Sequence, residues 1–394
     1  MNRITLAKMQ SSDLALLCEN AKIKDTAVQK LQELGMPGAK TEHYRYFSIV
    51  PLLSKSYRHI KQSVQQIAPG DTVEIVDGEV IKAPENVHIT VEAAEEIDPA
   101  HYDAGYYISH LLTPKVIKIS ISENTHLVLK HRFTKEEALM AYRIAVEVHE
   151  GSTLFLDEIF EKSTAPESLI FYGMDIRVAE NGTLTWIKDQ EIEQNDYTML
   201  ASHSCTTGKD AKTALKTFDF GNSRALQIYK IDLHEKAQLE ASHLLYADHE
   251  AQRGNIIQIN HKAQHAHTTQ NARHILRNKA RGIFDGLIRV EHAGKYAVTH
   301  QNARSILLDN GAYMISKPQL EIYIDELEAS HGSTTGQLDP DQIFYLRSRG
   351  ISEETARKML IFAFAKDVID TVENKSIVER LTAKFEKRYS GATS

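Results

Sequence analysis

Hydrophobic residues recur at helical spacing only near the two ends of the chain. Within about the first 65 residues, apolar side chains return every three or four positions with polar residues between them, as at Leu14, Leu16, Leu17, Val28, Leu31 and Leu34. This period is typical of amphipathic helices, and Gly35 stands where the second helix is expected to end. The pattern predicts an N-terminal helical arm.

From about Asp71 to Asp325, short apolar runs replace the helical spacing. They are rich in Val, Ile, Leu, Tyr and Phe, and many alternate with polar residues, which predicts β-strands. The runs lie at 126–130, 154–160, 169–178, 184–187, 225–231, 255–260, 281–290 and 319–324. We expect no long helix between residues 142 and 325, which argues against a doubly wound α/β domain, because that fold needs a helix after nearly every strand.

The strand-rich region also repeats itself. QNARHIL at 270–276 returns as QNARSIL at 301–307, an offset of 31 residues, and Gly151 and Gly182 are 31 residues apart as well. Strand-and-turn units at such a period are typical of a solenoid, since one coil cannot bury its inner face but stacked coils can. The repeats favour a parallel β-helix and leave a large β-sandwich as the alternative.

Helical patterns return after Asp325. Asp339 followed by Pro340 predicts a capped helix start, and Gly350 a helix end. Two more helices follow, the last with Ile377, Val378, Leu381 and Phe385 on one face. The segment 359–364 is apolar nearly all round, so we expect it to be buried in its own domain or, alternatively, against a partner. The domain prediction is a helical arm (1–70), a β-helix core (71–330) and a helical domain (331–394).

Composition narrows the class of protein. The 394 residues fit two or three domains, and the net charge of −7 argues against broad non-specific binding of nucleic acid. Two cysteines exclude a disulfide framework and a cysteine-only metal cage within the chain. The longest apolar run has seven residues, whereas a membrane span needs about 20. With no visible signal peptide, we expect a cytoplasmic protein that binds neither membrane nor nucleic acid.

Local motifs offer little chemistry. Clustered histidines, two of them at His-x-His spacing on an expected strand, could bind a metal, although a polar ladder is the simpler interpretation; they are His261, His265, His267 and His274. Cys205 has His203 two positions away and could be a nucleophile, although an ordinary thiol is the simpler interpretation. A carbohydrate-active β-helix enzyme, a lyase or hydrolase, stays open as an alternative, but the motifs show no self-contained active site.

The C-terminal third carries a more specific signal. The segments ARGIFDGLIRV (280–290), KPQLEIYIDELEASHGSTTGQLDPDQIFYLRSRGI (317–351) and KMLIFAFAKDVI (358–369) resemble the SufB/SufD family of iron–sulfur cluster assembly scaffolds. GMPGAKTEHYRYFSI (35–49) looks like the helical arm of that family. The chain is more similar to the SufD type, because no cysteine stands near Ala303. It departs from many SufD-type chains in having Ala329 where they have a cysteine.

The resemblance implies a mainly β chain with a right-handed parallel β-helix flanked by α-helical regions, acting as a non-catalytic scaffold. The implied partners are a SufB-like scaffold, paired through the β-helix, and a SufC-like ATPase; an isolated chain could form a homodimer. A transient iron–sulfur cluster would be assembled between the scaffolds, with none bound permanently. His331 matches the histidine at that interface and would be an iron ligand. The expected ATPase contacts are Ile343, Phe344, Leu346, Met359, Leu360, Phe362 and Phe364.

Overall fold

The computed structural model describes residues 3–63, 66–193 and 196–391, so the predicted arm, core and helical domain each include a few residues outside the description. Helices lie near both ends of the described chain, and one lies further in. They are α1 (Ser11–Leu17), α2 (Ala21–Leu34), α3 (Ile49–Ser54), α4 (Ala104–Leu112), α5 (Pro340–Ser348), α6 (Glu353–Ile369) and α7 (Lys375–Gly391). No helix in the described ranges is both long enough and apolar enough to cross a membrane.

Strands fill the region between. They are β1 (Arg3–Ile4), β2 (Tyr57–Ile60), β3 (Ala68–Pro69), β4 (Val73–Val76), β5 (Glu79–Ala83), β6 (His88–Glu92), β7 (Val116–Ile121), β8 (Thr125–Arg132), β9 (Ala138–Val148), β10 (Thr153–Phe160), β11 (Ser168–Val178), β12 (Thr183–Ile192), β13 (Tyr197–Thr207), β14 (Lys212–Gly221), β15 (Arg224–Leu233), β16 (Gln238–Ala247), β17 (Gln252–His261), β18 (His267–Leu276), β19 (Arg281–Val290), β20 (Ala297–Leu307), β21 (Tyr313–Ile322) and β22 (Leu327–Gly336). Every predicted strand run lies within one of these strands except 319–324, which extends two residues past β21.

Consecutive long strands alternate between two parallel sheets. Odd-numbered strands from β7 to β21 form sheet A, and even-numbered strands from β8 to β22 form sheet B. Each coil therefore contributes one strand to each sheet, which gives a parallel β-solenoid of about 8 turns. This confirms the predicted mainly β fold and excludes the sandwich, whose strands would pair antiparallel.

The sequence repeat coincides with the stacking of coils. Gln270 on β18 pairs with Gln301 on β20, and the rest of the repeated heptad pairs in the same register. Side chains alternate between an inner face, which fills the solenoid, and an outer face. On β12, for example, Trp186 is buried in the core of the solenoid, while the outward Ile187 packs beneath the C-terminal helices.

The N-terminal helices cover the outer face of sheet A. Leu14 and Leu31 belong to one buried cluster with Phe171 and Leu200 of the sheet. Helix α4, which no pattern in the sequence predicted, lies in the same layer and is buried along its whole length. Its shortness explains the omission, because a helical period is recognised in a window of about 11 residues or more and α4 has nine.

The C-terminal helices cover the outer face of sheet B. Ile361 of α6 and Phe385 of α7 pack in one cluster with Phe218 and Tyr246. Charged contacts add to this packing, since Arg380 lies 2.6 Å from a carboxylate oxygen of Asp157. The division into 1–70, 71–330 and 331–394 stays a prediction, although β22 crosses its second boundary and the helices begin only at Pro340.

Candidate functional site

The last coil of the solenoid has an open edge. β21 and β22 end sheets A and B, and within the described ranges no further strand pairs with either. Unpaired backbone groups at such an edge can pair with another chain. Large apolar side chains are also exposed at this end, which is typical of an interaction surface; they are Tyr296, Tyr313, Ile322 and Tyr323.

His331 lies on β22 at this open edge. It pairs in register with Gln301, which is buried inside the preceding coil. Ser333, two residues along, has its hydroxyl 2.9 Å from that of Ser316 on the opposite sheet, so this face of β22 points into the solenoid. His331 therefore faces the interior, yet it is exposed because no described coil covers it.

The described residues offer no complete metal site at the open end. The described residues contain no group of three or more His, Cys, Asp or Glu side chains that could hold a metal ion. The neighbouring positions Ala303 and Ala329 carry no thiol. A metal or cluster bound by His331 would therefore need further ligands from a second chain.

The four histidines that cluster in the sequence do not form a shared site. His261 and His274 are buried and hydrogen-bond to Thr268 and Ser305 at 2.9 and 3.0 Å. The expectation that His265 and His267 share one strand face is wrong, because His265 lies in the turn before β18 with φ +61. The ring of His265 stacks on Tyr296 instead, at a centroid distance of 5.1 Å.

Cys205 is packed rather than reactive. It lies on the inner face of β13 with 4% of its surface exposed. Burial raises the pKa of its thiol to about 12, so the thiolate needed for nucleophilic attack is not available near neutral pH. The structure favours the interpretation as an ordinary thiol.

A buried ionic cluster inside the early coils was missed from the sequence. Glu158 accepts hydrogen bonds from Tyr172 and Trp186, both at 2.7 Å, and lies 3.2 Å from His131 and 3.4 Å from Lys188. Burial alone would raise the pKa of Glu158, but the charge of Lys188 and contact with His131 hold it below its ordinary value. The alternation Leu154, Leu156, Glu158 in a predicted strand was the available signal.

The expected ATPase contacts divide between surface and interior. Phe344 is 72% exposed and Met359 is 46% exposed, whereas Leu346 and Leu360 are half-buried and Ile343 is buried. The exposed Tyr345, beside Phe344 on α5, was not among the predicted residues.

The two remaining phenylalanines of that set pack within the molecule. Phe362 contacts the rings of Phe385 and Tyr389 on α7. Phe364 lies under the Arg273 guanidinium, 5.6 Å from the ring centroid. Packing inside the protein therefore accounts for the apolar character of this part of α6, and the exposed apolar surface is confined to α5 and the N-terminal half of α6.

Comparison with known proteins identifies the family. Residues 131–364 match the model described as the SUF system FeS cluster assembly SufBD core domain, which covers more than half of the chain. The chain belongs to the SufBD family. The matched residues run from the buried ionic cluster at His131 to α6 and include the open end with His331.

Similarity to individual proteins supports a SufD-like chain. The iron–sulfur cluster assembly protein SufD of Escherichia coli is 26% identical over 95% of each chain. A SufBD family protein of Synechocystis is 30% identical over 52% of this chain and 46% of its own length. A SufBD family protein of Mycobacterium leprae is 46% identical over 20% of this chain and 21% of its own. The expectation of a chain most like SufD is confirmed.

Proposed function

We propose that this chain is the SufD-type subunit of an iron–sulfur cluster assembly complex and acts as a non-catalytic cytoplasmic scaffold. The observation that carries the proposal is the open last coil, where His331 faces the solenoid interior and stays exposed. A SufB-like scaffold would cover this edge, bring the thiolate ligands that the positions next to His331 lack, and share a transient cluster with His331. An isolated chain would cover the same edge with a second copy.

A second surface supports binding of an ATPase of the SufC type. Phe344, Tyr345 and Met359 are exposed on α5 and α6, away from the contacts that join the helical domain to sheet B. Exposed aromatic and methionine side chains are enriched at protein–protein interfaces. Because α6 and α7 are packed on the solenoid, movement of a bound ATPase would be transmitted to the scaffold.

A carbohydrate-active enzyme is less well supported. A cleft of about 470 Å³ on sheet A is lined by carboxylates that include Asp98 and Asp175. Burial would raise both pKa values, but the ammonium of Lys230 lowers that of Asp98 and the guanidinium of Arg143 lowers that of Asp175. A glycosidase needs one carboxyl group with a raised pKa as its general acid, and these shifts have the opposite direction.

Co-expression with a SufB-like scaffold and a SufC-like ATPase tests the proposal. Phe344→Ser with Met359→Ser should weaken ATPase binding roughly 10- to 100-fold, as loss of interface anchors does. His331→Ala should leave the complex assembled but reduce the yield of iron–sulfur cluster. Calorimetry and the visible absorbance of the reconstituted cluster measure the two effects.

Each variant has a matched control. Leu16→Ser removes an apolar side chain from α1 that is 83% exposed, and His300→Ala removes an exposed histidine from the outer face of β20. If the α5–α6 variant binds the ATPase as well as Leu16→Ser does, the assigned surface is wrong. If His331→Ala and His300→Ala give equal cluster yields, His331 is not a ligand.

A further inference from the structure

A column of amide side chains leads through the last coils to His331. Gln270 on β18, Gln301 on β20 and His331 on β22 occupy one register position on the inner face of sheet B. Gln270 is 4% exposed and Gln301 is 3% exposed. Both amides are therefore shielded from bulk water, and their hydrogen bonds must come from neighbouring groups.

The amide of Gln301 has a defined orientation. Its Nε2 donates to Oε1 of Gln270 at 2.6 Å and to the carbonyl oxygen of Gly286 at 2.9 Å, which uses both of its protons. Its Oε1 is buried and has no hydrogen-bond partner among the described atoms. Turning the amide over would break both bonds, so the free atom remains an acceptor that needs a donor.

Gly286 on sheet A makes this placement possible. A Cβ atom at position 286 would lie 2.5 Å from Nε2 of Gln301. Any other residue would push the amide away from the carbonyl that orients it. The arrangement of Gln301 is therefore a built feature of two facing strands, not a chance rotamer.

The next coil offers one suitable donor to Gln301 Oε1. On the inner face of β22, Ala329 has no side-chain donor, and Ser333 pairs with Ala303 rather than with Gln301 and has its hydroxyl 2.9 Å from that of Ser316. His331 lies between them, directly in register with Gln301. Its imidazole is exposed and can rotate about its side-chain bonds, so one ring N–H can turn inward onto the amide.

We propose that Gln301 is a positioning residue for His331, accepting one ring N–H and thereby fixing the tautomer of the imidazole. The other ring nitrogen then keeps its lone pair and is aimed outward, where a metal of the assembling cluster would bind. Histidine ligands in proteins are oriented by a second hydrogen bond of this kind. The inference rests on the proposed function of His331 and adds the residue that prepares it.

Nitrogen-15 spectra of the full chain, labelled at histidine, test the inference above pH 7. Ring nitrogen shifts report which nitrogen carries the proton, and the signals of His331 are those lost in His331→Ala. In the wild-type protein one tautomer should dominate. Gln301→Met, which removes the acceptor, should change the tautomer ratio roughly three- to tenfold, the effect of one hydrogen bond.

One further variant separates positioning from a general structural role. Gln270→Met breaks the column one step lower and should leave the tautomer of His331 unchanged. The inference is overturned if Gln301→Met and wild type have the same ratio, or if Gln270→Met changes it as much as Gln301→Met does.

A measurement on the unaltered chain covers the case in which Gln301→Met does not fold. A hydrogen-bonded ring N–H exchanges slowly with water and gives a proton signal, whereas a free one at the surface does not. Absence of that signal for His331 would also overturn the inference. Cluster yield is a separate result. If the tautomer of His331 is fixed in the wild-type protein but His331→Ala gives the full cluster yield, the proposed ligand role of His331 is rejected and the positioning role of Gln301 is kept.

Discussion

The two ends of the solenoid differ in how their strand edges are covered. At the first end, β6 runs antiparallel to β7, and β4 and β5 form an antiparallel pair, so the chain turns back on its own edges. At the last end, β21 and β22 have no such neighbour among the described strands. Proteins cover the sheet edges that they do not use. The last coil is therefore the end at which we propose that another chain binds.

The two ends of the solenoid also differ in the side chains that fill their interiors. The early coils enclose the ionic cluster around Glu158 and a stack of aromatic rings that includes Tyr142 and Tyr172. The last coils enclose the amides of Gln270 and Gln301 beside apolar residues such as Phe284, and β22 reads LEASHGSTTG with most of its residues exposed. We infer that the first coils stabilise the fold, whereas the last coils provide a polar surface for assembly.

The largest expected effect comes from breaking the ionic cluster. Glu158→Leu leaves Lys188 buried without its counter-charge and Trp186 and Tyr172 without their acceptor. Breaking a buried pair on one side costs about 3–5 kcal/mol, so the free energy of unfolding should fall by that amount. Urea unfolding followed by circular dichroism measures it.

The matched control for Glu158→Leu is Glu328→Leu at the open end. Glu328 has 71% of its side chain exposed, and its carboxylate lies 3.7 Å from the imidazole of His300. Its removal should change the free energy of unfolding by less than about 0.5 kcal/mol. Similar losses in the two variants would mean that the first coils are not the stabilising half of the molecule.

Acid should lower the free energy of unfolding, because several histidines are buried in the folded protein. Burial lowers the pKa values of His101, His110, His243 and His261 to about 4. An unfolded histidine takes up its proton near pH 6.5, so between pH 6.5 and 4 the unfolded state binds more protons than the folded one. Stability is then lost as pH falls, at about 1.4 kcal/mol per pH unit for each of them.

His243→Gln isolates one of these contributions. Asp219 and Arg253 face His243 with opposite charges, and Thr217 bonds its Nδ1. The variant should lose about 2 kcal/mol less stability than wild type between pH 6.5 and 5, measured by urea unfolding at each pH. His300→Gln, on the exposed outer face of β20, is the control. An unchanged pH dependence in His243→Gln would show that this interior position admits water.

The architecture could be predicted from the sequence because it depends on periodicity. The repeat at 270–276 and 301–307 corresponds to two stacked strands in register, and the cap at Asp339 begins α5 as expected. Burial could not be predicted equally well. Glu158 follows the alternation of an inward position, but its charge suggests an outward one until Lys188 and His131 are seen beside it.

The candidate site could be predicted only through family resemblance. No local pattern distinguishes His331 from the other 18 histidines, and the register that places it over Gln301 exists only after folding. The same limit explains the divided ATPase surface, since Phe344 and Phe362 are equally apolar in the sequence. Their different exposure depends on which face of each helix the rest of the domain covers.

A small effect on folding, and the sharpest test of the comparison, is expected from the exposed tyrosines of the open end. Tyr313 and Tyr323 are 58% and 52% exposed, so replacing both with serine should change the free energy of unfolding by less than about 1 kcal/mol. If a second scaffold covers this edge, the same change should weaken its binding roughly 10- to 100-fold. Sedimentation measures association with a SufB-like partner and with a second copy.

The double variant Phe344→Ser with Met359→Ser is the matched control for this change. It removes similarly exposed side chains from the helical domain and should keep full affinity for the second scaffold while losing the ATPase. The open-end variant should show the reverse. If both variants weaken both partners, the two surfaces form one interface, and the solenoid end can no longer be assigned to a scaffold partner separately from the helices.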